Sequence, residues 1–263
     1  MPDLHPRHTL IQISDTHLGR APGPIRPGYP DSDTQLQAVL ADVRERHPDA
    51  ALVLVTGDLA EDPETVTYAR LARYLSGLPA PVSALAGNHD DHGLARQTFT
   101  AAGHDFDAEQ RVGNWLIVSL NSAWHGHTAG HLAADELTRL QSAIQRYPDC
   151  WVLVAVHHPV VPVGSRWLDA LGLTNGEELL AVLQRLPRVR ACVFGHIHQA
   201  FDTMHGTIRL LGCPSTCVQF LPGAEDFALD PQNAGYRVIR LHEDGEFETR
   251  IERVADTSMA PAL

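Results

Sequence analysis

The sequence predicts an α/β fold in which two packed sheets are covered by helices, and three observations lead there. Six short apolar runs, each about the length of a buried strand and bounded by turn residues, are spread between residues 9 and 194. Between them lie stretches with apolar residues at helical spacing. After residue 205 the helical pattern stops and mostly β-type segments follow, which points to two sheets packed together. With 263 residues and 44% apolar side chains, a single domain over 1–263 is expected, its core at about 9–200 and a β-rich segment at about 206–254 completing it.

The first run, residues 9–14 (TLIQIS), reads as a strand. Residues 21–30, rich in Pro and Gly, read as a surface loop. A helix follows, because Leu36, Val39, Leu40 and Val43 fall at i, i+3, i+4 and i+7 behind Asp and Ser residues suited to an N-cap. Strands are expected at 51–56 (ALVLVT) and 81–86 (PVSALA), with Asp91 and His92 opening a helix beyond the second. A fourth strand is expected at 115–120 (WLIVSL). Residues 124–131 (WHGHTAGH) bring His125, His127 and His131 into a Gly-rich stretch, read as a solvated loop at the mouth of a crevice. Leu137, Leu140 and Ile144 mark another helix, and 151–156 (WVLVAV) a fifth strand. Leu179, Leu180, Leu183 and Leu186 mark a helix before the sixth strand at 189–194 (VRACVF). Residues 208–212 read as a strand and 236–254 as a hairpin turning at Glu243, Asp244 and Gly245, with a frayed tail from Asp256 on.

Composition narrows the function classes. The net charge of −12 and the lack of any basic stretch disfavour nucleic acid as a partner, since phosphate contacts dominate such binding. A small phosphorylated substrate remains compatible, because bound cations supply positive charge locally. No stretch approaches the ~18 consecutive apolar residues of a membrane span, and the first ten residues lack an apolar run behind a basic cluster. No membrane partner and a cytoplasmic location are therefore expected. Cys150, Cys192, Cys213 and Cys217 show no CxxC spacing and are expected to be reduced, mostly buried thiols. The absence of GxxxxGK[ST], GxSxG and GxGxxG leaves kinase, serine-hydrolase and dinucleotide readings unsupported.

Five of the apolar runs end in residues of metal-ligand type. They are followed in order by Asp15-Thr16-His17, Gly57-Asp58, Gly87-Asn88-His89-Asp90, His157-His158-Pro159 and Gly195-His196-Ile197-His198. Singly, each is as ordinary as a helix cap, a turn or a core histidine. Jointly they differ, because loops at the C-terminal ends of strands converge on one crevice. Asp, Asn and His form a donor set for iron, manganese, zinc or cobalt rather than for a thiolate site. Asp58 is the candidate bridge between two cations; ions about 3.5–4 Å apart would clamp a phosphoryl group and activate a bridging water for in-line attack. In extended segments the DxH and HxH pairs would each share one face, while His158 would point to the other face from His157 and stay unliganded.

The order DxH, GD, GNHD, H, GHxH resembles the signature of the calcineurin-like metallophosphoesterases over about residues 9–200. Residues 165–169 (SRWLD), Asn175-Gly176, 194–199 (FGHIHQ) and 213–220 (CPSTCVQF) resemble the class III cyclic-nucleotide phosphodiesterases within them. The resemblance implies an α/β four-layer αββα sandwich, two mixed β-sheets flanked by helices. It implies one metal held by Asp15, His17, Asp58 and His198 and a second by Asp58, Asn88, His157 and His196, the ions being iron, manganese or zinc. His89 would lie near the substrate phosphate, stabilising charge or protonating the leaving oxygen, with Asp58 the other residue of the catalytic centre. Asn88 and His89 would contact substrate, and Arg166, Trp167 and Asn175 are candidates to line a nucleotide pocket, although Trp167 and Leu168 read equally well as a small satellite core.

The implied reaction is hydrolysis of 3′,5′-cyclic AMP to the 5′-nucleotide. A broader phosphodiesterase or phosphomonoesterase, acting on glycerophosphodiesters or 2′,3′-cyclic nucleotides, would use identical metal ligands. A non-catalytic scaffold should have lost ligands, and here every motif position is filled. Many members of the superfamily carry an acid three residues after the bridging Asp; Glu61 stands there and Asp62 follows, so the support of His89 is open between them. A homo-oligomer is left open too.

Overall fold

The computed structural model describes residues 8–255, so the tail expected from Asp256 on lies outside the described residues. The chain begins β1 (His8–Ile13), α1 (Ser32–Arg46), β2 (Leu52–Thr56), α2 (Thr65–Leu75), β3 (Val82–Leu85), α3 (His92–Ala101) and β4 (Asp105–Phe106). It continues through β5 (Glu109–Val112), β6 (Trp115–Ser119), α4 (Ala134–Arg146), β7 (Trp151–Ala155), the short α5 (Arg166–Asp169), α6 (Gly176–Gln184) and β8 (Val189–Phe194). There follow β9 (Phe201–His205), β10 (Ile208–Gly212), a ribbon of β11 (Gln219–Phe220) and β12 (Leu229–Asp230), and finally β13 (Gly235–Leu241) and β14 (Phe247–Arg253).

One six-stranded sheet has the order β14-β13-β1-β2-β3-β4 and the other β5-β6-β7-β8-β10-β9. In the first, β1 to β4 are parallel while β13 and β14 are antiparallel. In the second, β6, β7, β8 and β10 are parallel and the edges β5 and β9 antiparallel. Both sheets are therefore mixed.

Period-2 alternation explains the layers, since each strand serves two cores at once. Leu10, Leu52, Leu54 and Leu85 of the first sheet meet Trp115, Ile117, Leu153 and Val193 of the second in an inner core. The alternate residues Ile11, Ile13, Val53 and Val55 face outward onto Leu36, Val39 and Leu40 of α1, Tyr68 and Leu71 of α2, and Phe99 of α3. On the far side Leu116, Val118, Val152 and Val154 pack against Leu137 and Leu140 of α4 and Leu179 and Leu183 of α6. Each such buried aliphatic side chain contributes roughly 1.5–3 kcal/mol. The result is the αββα sandwich, with strand runs that are apolar throughout because both faces are covered.

Several local expectations hold. Asp31 caps α1 by accepting from Thr34 N, and Asp91 caps α3 by accepting from Leu94 N. The 236–254 hairpin pairs Tyr236 with Glu252 and Leu241 with Phe247. All four cysteines are free and buried. Other details differ. α4 buries Ala143, whereas Ile144 is only partly buried. Leu186 lies beyond α6, which ends at Gln184. Among the described residues no helix is long and apolar enough to cross a membrane.

Candidate metal centre

Five parallel strands deliver the site. β1 leads to Asp15 and His17, β2 to Asp58, and β3 to Asn88 and His89, all from the first sheet; β7 leads to His157 and β8 to His196 and His198 from the second. Within each sheet the loops are tied to one another. Asp15 N donates to Gly57 O at 3.0 Å, His17 N to Asp58 O at 3.0 Å, and Gly195 N to His157 O at 3.0 Å. Gln12 Nε2 spans the two sheets, donating to Thr56 Oγ1 and Phe194 O, both at 3.1 Å.

The ligand segments are not extended, contrary to the period-2 expectation. Asp15, His17, Asp58, His196 and His198 have φ of 54°, 42°, 48°, 66° and 49°, in the left-handed region that side-chain-bearing residues avoid. Asp107 is the only other non-glycine among the described residues that does so. Such conformations cost energy and persist where surrounding structure imposes them. Here the imposing contacts are the loop-to-loop hydrogen bonds just given, and they turn both members of each HxH or DxH pair inward.

Two glycines make the turns fit. A Cβ on Gly87 would overlap the Asp58 carboxylate, and one on Gly195 would reach 2.9 Å from Asp15 Oδ2 and 2.8 Å from Thr56 O. Both carboxylates need these gaps, and His89 N and His196 N each donate back to one of them, to Asp58 Oδ1 and Asp15 Oδ1, at 3.0 Å.

The side chains gather in two adjoining groups. His17 Nε2 and His198 Nε2 are 3.2 Å apart, and His198 Nε2 lies 3.4 Å from Asp15 Oδ1. Asn88 Oδ1 lies 2.9 Å from His196 Nδ1 and 3.2 Å from His157 Nε2. Asp58 Oδ2 stands between the groups, 3.3 Å from His157 Nε2 and 3.6 Å from His17 Nε2. All seven side chains expected as ligands are thus together.

The donor set fits cations on the evidence of its hydrogen bonding. His157 Nδ1 donates to Thr56 O and His198 Nδ1 to Val218 O, each at 2.8 Å, and a carbonyl can only accept. His17 Nδ1 faces Glu61 Oε2 at 3.0 Å. With Nδ1 so engaged, a neutral ring carries its lone pair on Nε2, and the Nε2 atoms of His17 and His198 face one another across 3.2 Å. Two acceptors so close repel unless a proton or a cation lies between them. In His196 it is Nδ1 that faces the ligand group, at Asn88 Oδ1, while Nε2 is buried with no hydrogen-bond partner among the described residues. Such outer partners on ring nitrogens are how metal-ligating histidines are oriented.

Electrostatics agree. Burial alone would raise the Asp58 pKa, but His157, His89 and His17 around it hold it well below the ordinary carboxylate range. Hydrogen bonds from His17 and His89 likewise hold Glu61 ionised. Burial would lower the His89 pKa, yet Glu61 and Asp58 lift it to about 9; a cation beside the ring would pull it down again.

The outlying candidates divide. His158 does not point away: its ring lies 4.8 Å from those of His157 and His196. Its two nitrogens are engaged by Ser122 Oγ at 2.8 Å and Thr128 O at 3.1 Å, so it buttresses the site from behind. Asn175 stands apart, its carboxamide accepting from Leu132 N and donating to Leu132 O. Arg166 is exposed and pairs with Glu225 at 3.2 Å. Trp167 packs on Phe220 and Phe227 at 5.0 and 5.3 Å. His127 stacks on Trp124 at 3.6 Å in the 124–131 loop, and these histidines join no metal-type group among the described residues.

Three contributors had no side-chain signal in the sequence: the carbonyls of Thr56 and Val218, and Ser215, whose hydroxyl donates to Asp15 O at 2.7 Å. Phe220, stacked on His198 at 4.0 Å, sits in the 213–220 segment but was not separable within it.

Residues 8–200 match the family model described as Calcineurin-like phosphoesterase. Over 250 residues the chain is 41% identical to a protein of Pseudomonas aeruginosa named 3′,5′-cyclic adenosine monophosphate phosphodiesterase CpdA, covering 94% of this chain and 90% of that one. It is 35% identical over 246 residues to a 3′,5′-cyclic-nucleotide phosphodiesterase of Nostoc sp., covering 94% and 92%. Among solved structures, a dimetal phosphatase from Danio rerio shares the fold with a TM-score of 0.64 at 15% identity, over 95% of this chain and 100% of that one.

Proposed function

This chain belongs to the calcineurin-like phosphoesterase family, and from that premise we propose that it is a metal-dependent phosphodiesterase converting 3′,5′-cyclic AMP to 5′-AMP. The observation that carries the metal reading is the position of Asp58 Oδ2, within 3.3 Å of His157 Nε2 and 3.6 Å of His17 Nε2, where one carboxylate serves both ligand groups. The substrate rests on kinship, 41% identity across 94% of the chain to a protein named for that reaction.

Asp15, His17, Asp58 and His198 would hold one cation, and Asp58, Asn88, His157 and His196 the other. Oxygen and imidazole donors suit iron, manganese or zinc. When bound, the cations supply Lewis-acid neutralisation of the phosphoryl oxygens and an acidified water. The chain's own residues do the rest. The His89 side chain is 34% exposed, so substrate can reach it, while its Nδ1 is held by Glu61 Oε2 at 3.2 Å. Its Nε2–H is the group that donates a proton to the 3′-oxygen as the P–O bond breaks. Glu61 fixes that ring's orientation and favours its protonated form. Asn88 positions substrate beside it. Action on a small nucleotide in the cytoplasm is consistent with four free thiols.

Comparing kcat/KM of metal-loaded protein on 3′,5′-cyclic AMP, bis-p-nitrophenyl phosphate and p-nitrophenyl phosphate tests the substrate. The cyclic nucleotide should be the best of the three; if it is the poorest by orders of magnitude, the assignment falls to a broader phosphoesterase with the same ligands. Metal analysis of protein purified without added salts, then reactivation with single metals, identifies the ions.

A further inference from the structure

We propose that Phe227, backed by Trp167 and Phe220, is a stacking platform for the base of the nucleotide whose phosphate is held at the metal centre. The inference rests on the nucleotide reading above and deepens it.

A continuous path of rings leads from the centre to solvent. The His198 and Phe220 rings lie face to face, 4.0 Å apart and 9° from parallel. Phe220 then meets Phe227 at 5.5 Å and Trp167 at 5.0 Å, edge to face, and Trp167 closes the triangle with Phe227 at 5.3 Å. Edge-to-face contact of this kind adds stability beyond area burial and fixes ring orientation. The outermost ring, Phe227, is 52% exposed. It stands two ring spacings, 4.0 and 5.5 Å, from a histidine of the centre.

The support under this ring is built. Ser165 Oγ accepts from Gly223 N at 3.0 Å and from Gln199 Nε2 at 3.2 Å, which ties the 221–228 tip of the β11–β12 ribbon to the residue after His198. Arg166 N donates to Ala224 O at 3.1 Å, adding a second anchor. A lone exposed phenylalanine calls for no explanation. One held in place by a polar clamp and two further rings, beside a phosphate-type site, does: its ordering cost is met before any ligand arrives. Aromatic side chains stack on the π-face of a nucleobase, and a larger base gives more overlap. The platform accordingly favours a purine over a pyrimidine, and it accounts for segments 165–169 and 219–230, which the metal centre leaves without a role.

The test is binding, independent of turnover. Metal-loaded protein is titrated with 5′-AMP and with ribose 5-phosphate, which lacks the base, for the parent, Phe227→Ala and Phe227→Tyr. The parent and Phe227→Tyr should bind 5′-AMP roughly ten-fold or more tighter than ribose 5-phosphate. In Phe227→Ala the ratio should collapse towards one. An unchanged ratio in Phe227→Ala overturns the platform, as does a Phe227→Ala protein whose subunit number changes while the ratio persists. A parent that discriminates for the base yet fails to hydrolyse 3′,5′-cyclic AMP would refute the reaction and leave the platform standing.

Discussion

Glu61 Oε2 lies 3.2 Å from Nδ1 of His89, the proposed proton donor. The same oxygen lies 3.0 Å from Nδ1 of His17, a proposed ligand of the centre, while Oε1 takes Arg26 Nη2 at 2.9 Å. Asp62 faces elsewhere, accepting from Arg20 N at 2.9 Å. One carboxylate therefore orients the proposed metal ligand and the proposed acid together. Glu61→Gln should lower kcat about 10–100-fold, the usual cost of losing an outer partner of a ligand, and Asp62→Asn should change it less than twofold. Equal losses in both variants, measured with metal content in parallel, would reassign the role.

His89 bonds the Asp58 carboxylate through its backbone N–H, and its side chain is not among the seven expected ligands, so replacing that side chain should spare the metals. His89→Ala is expected to lower turnover by roughly 10²–10⁴-fold with metal content near that of the parent. Depletion of metal in this variant, read by elemental analysis, would make His89 a ligand instead.

Asp58 serves both ligand groups, and Asp58→Ala should deplete both ions at once. Removing metal from the parent with a chelator should also lower its melting temperature, because ligands that bind only the folded state stabilise it by about 2.7 kcal/mol at a hundred times Kd. At 2–4 °C per kcal/mol for a domain of this size, the shift is roughly 5–10 °C. A melting curve indifferent to chelator would count against bound cations.

Stability should also fall with acid through His47, far from the centre. Its buried ring ends α1, 3.7 Å from Glu252 Oε1 and edge-on to Tyr236 at 5.9 Å. Burial pushes its pKa below 6.5, outweighing Glu252. The folded state thus prefers the neutral ring and the unfolded chain binds the proton more readily. The contribution is fully present above pH 6.5 and is lost as pH drops through 6.5 towards the lower native value. Urea midpoints measured from pH 7 to pH 5 should decline less steeply for His47→Gln than for the parent; parallel declines would show the ring to be silent.

The six apolar runs became β1, β2, β3, β6, β7 and β8 to within one residue at either end, because strands covered on both faces leave an unbroken apolar signature. The two-residue strands β4, β11 and β12 carry no periodicity to detect, and β9 is a largely exposed edge. α2 was legible in principle, since Tyr68, Leu71, Ala72 and Leu75 form the buried stripe at i, i+3, i+4 and i+7. At the centre, side-chain identity announced the seven expected ligands. The left-handed backbone at five of them, and the carbonyls that aim His157 and His198, leave no mark on residue type.

Those left-handed turns mean that the catalytic apparatus is purchased from the folding free energy. Each non-glycine residue held at positive φ gives up on the order of 1–2 kcal/mol, and five of them surround one pocket. His198→Gly would relieve one such burden, so in metal-free protein it should melt higher than His198→Ala, which keeps the Cβ at positive φ. Descendants released from catalysis would accumulate glycine or asparagine at Asp15, His17, Asp58, His196 and His198 first, trading activity for robustness.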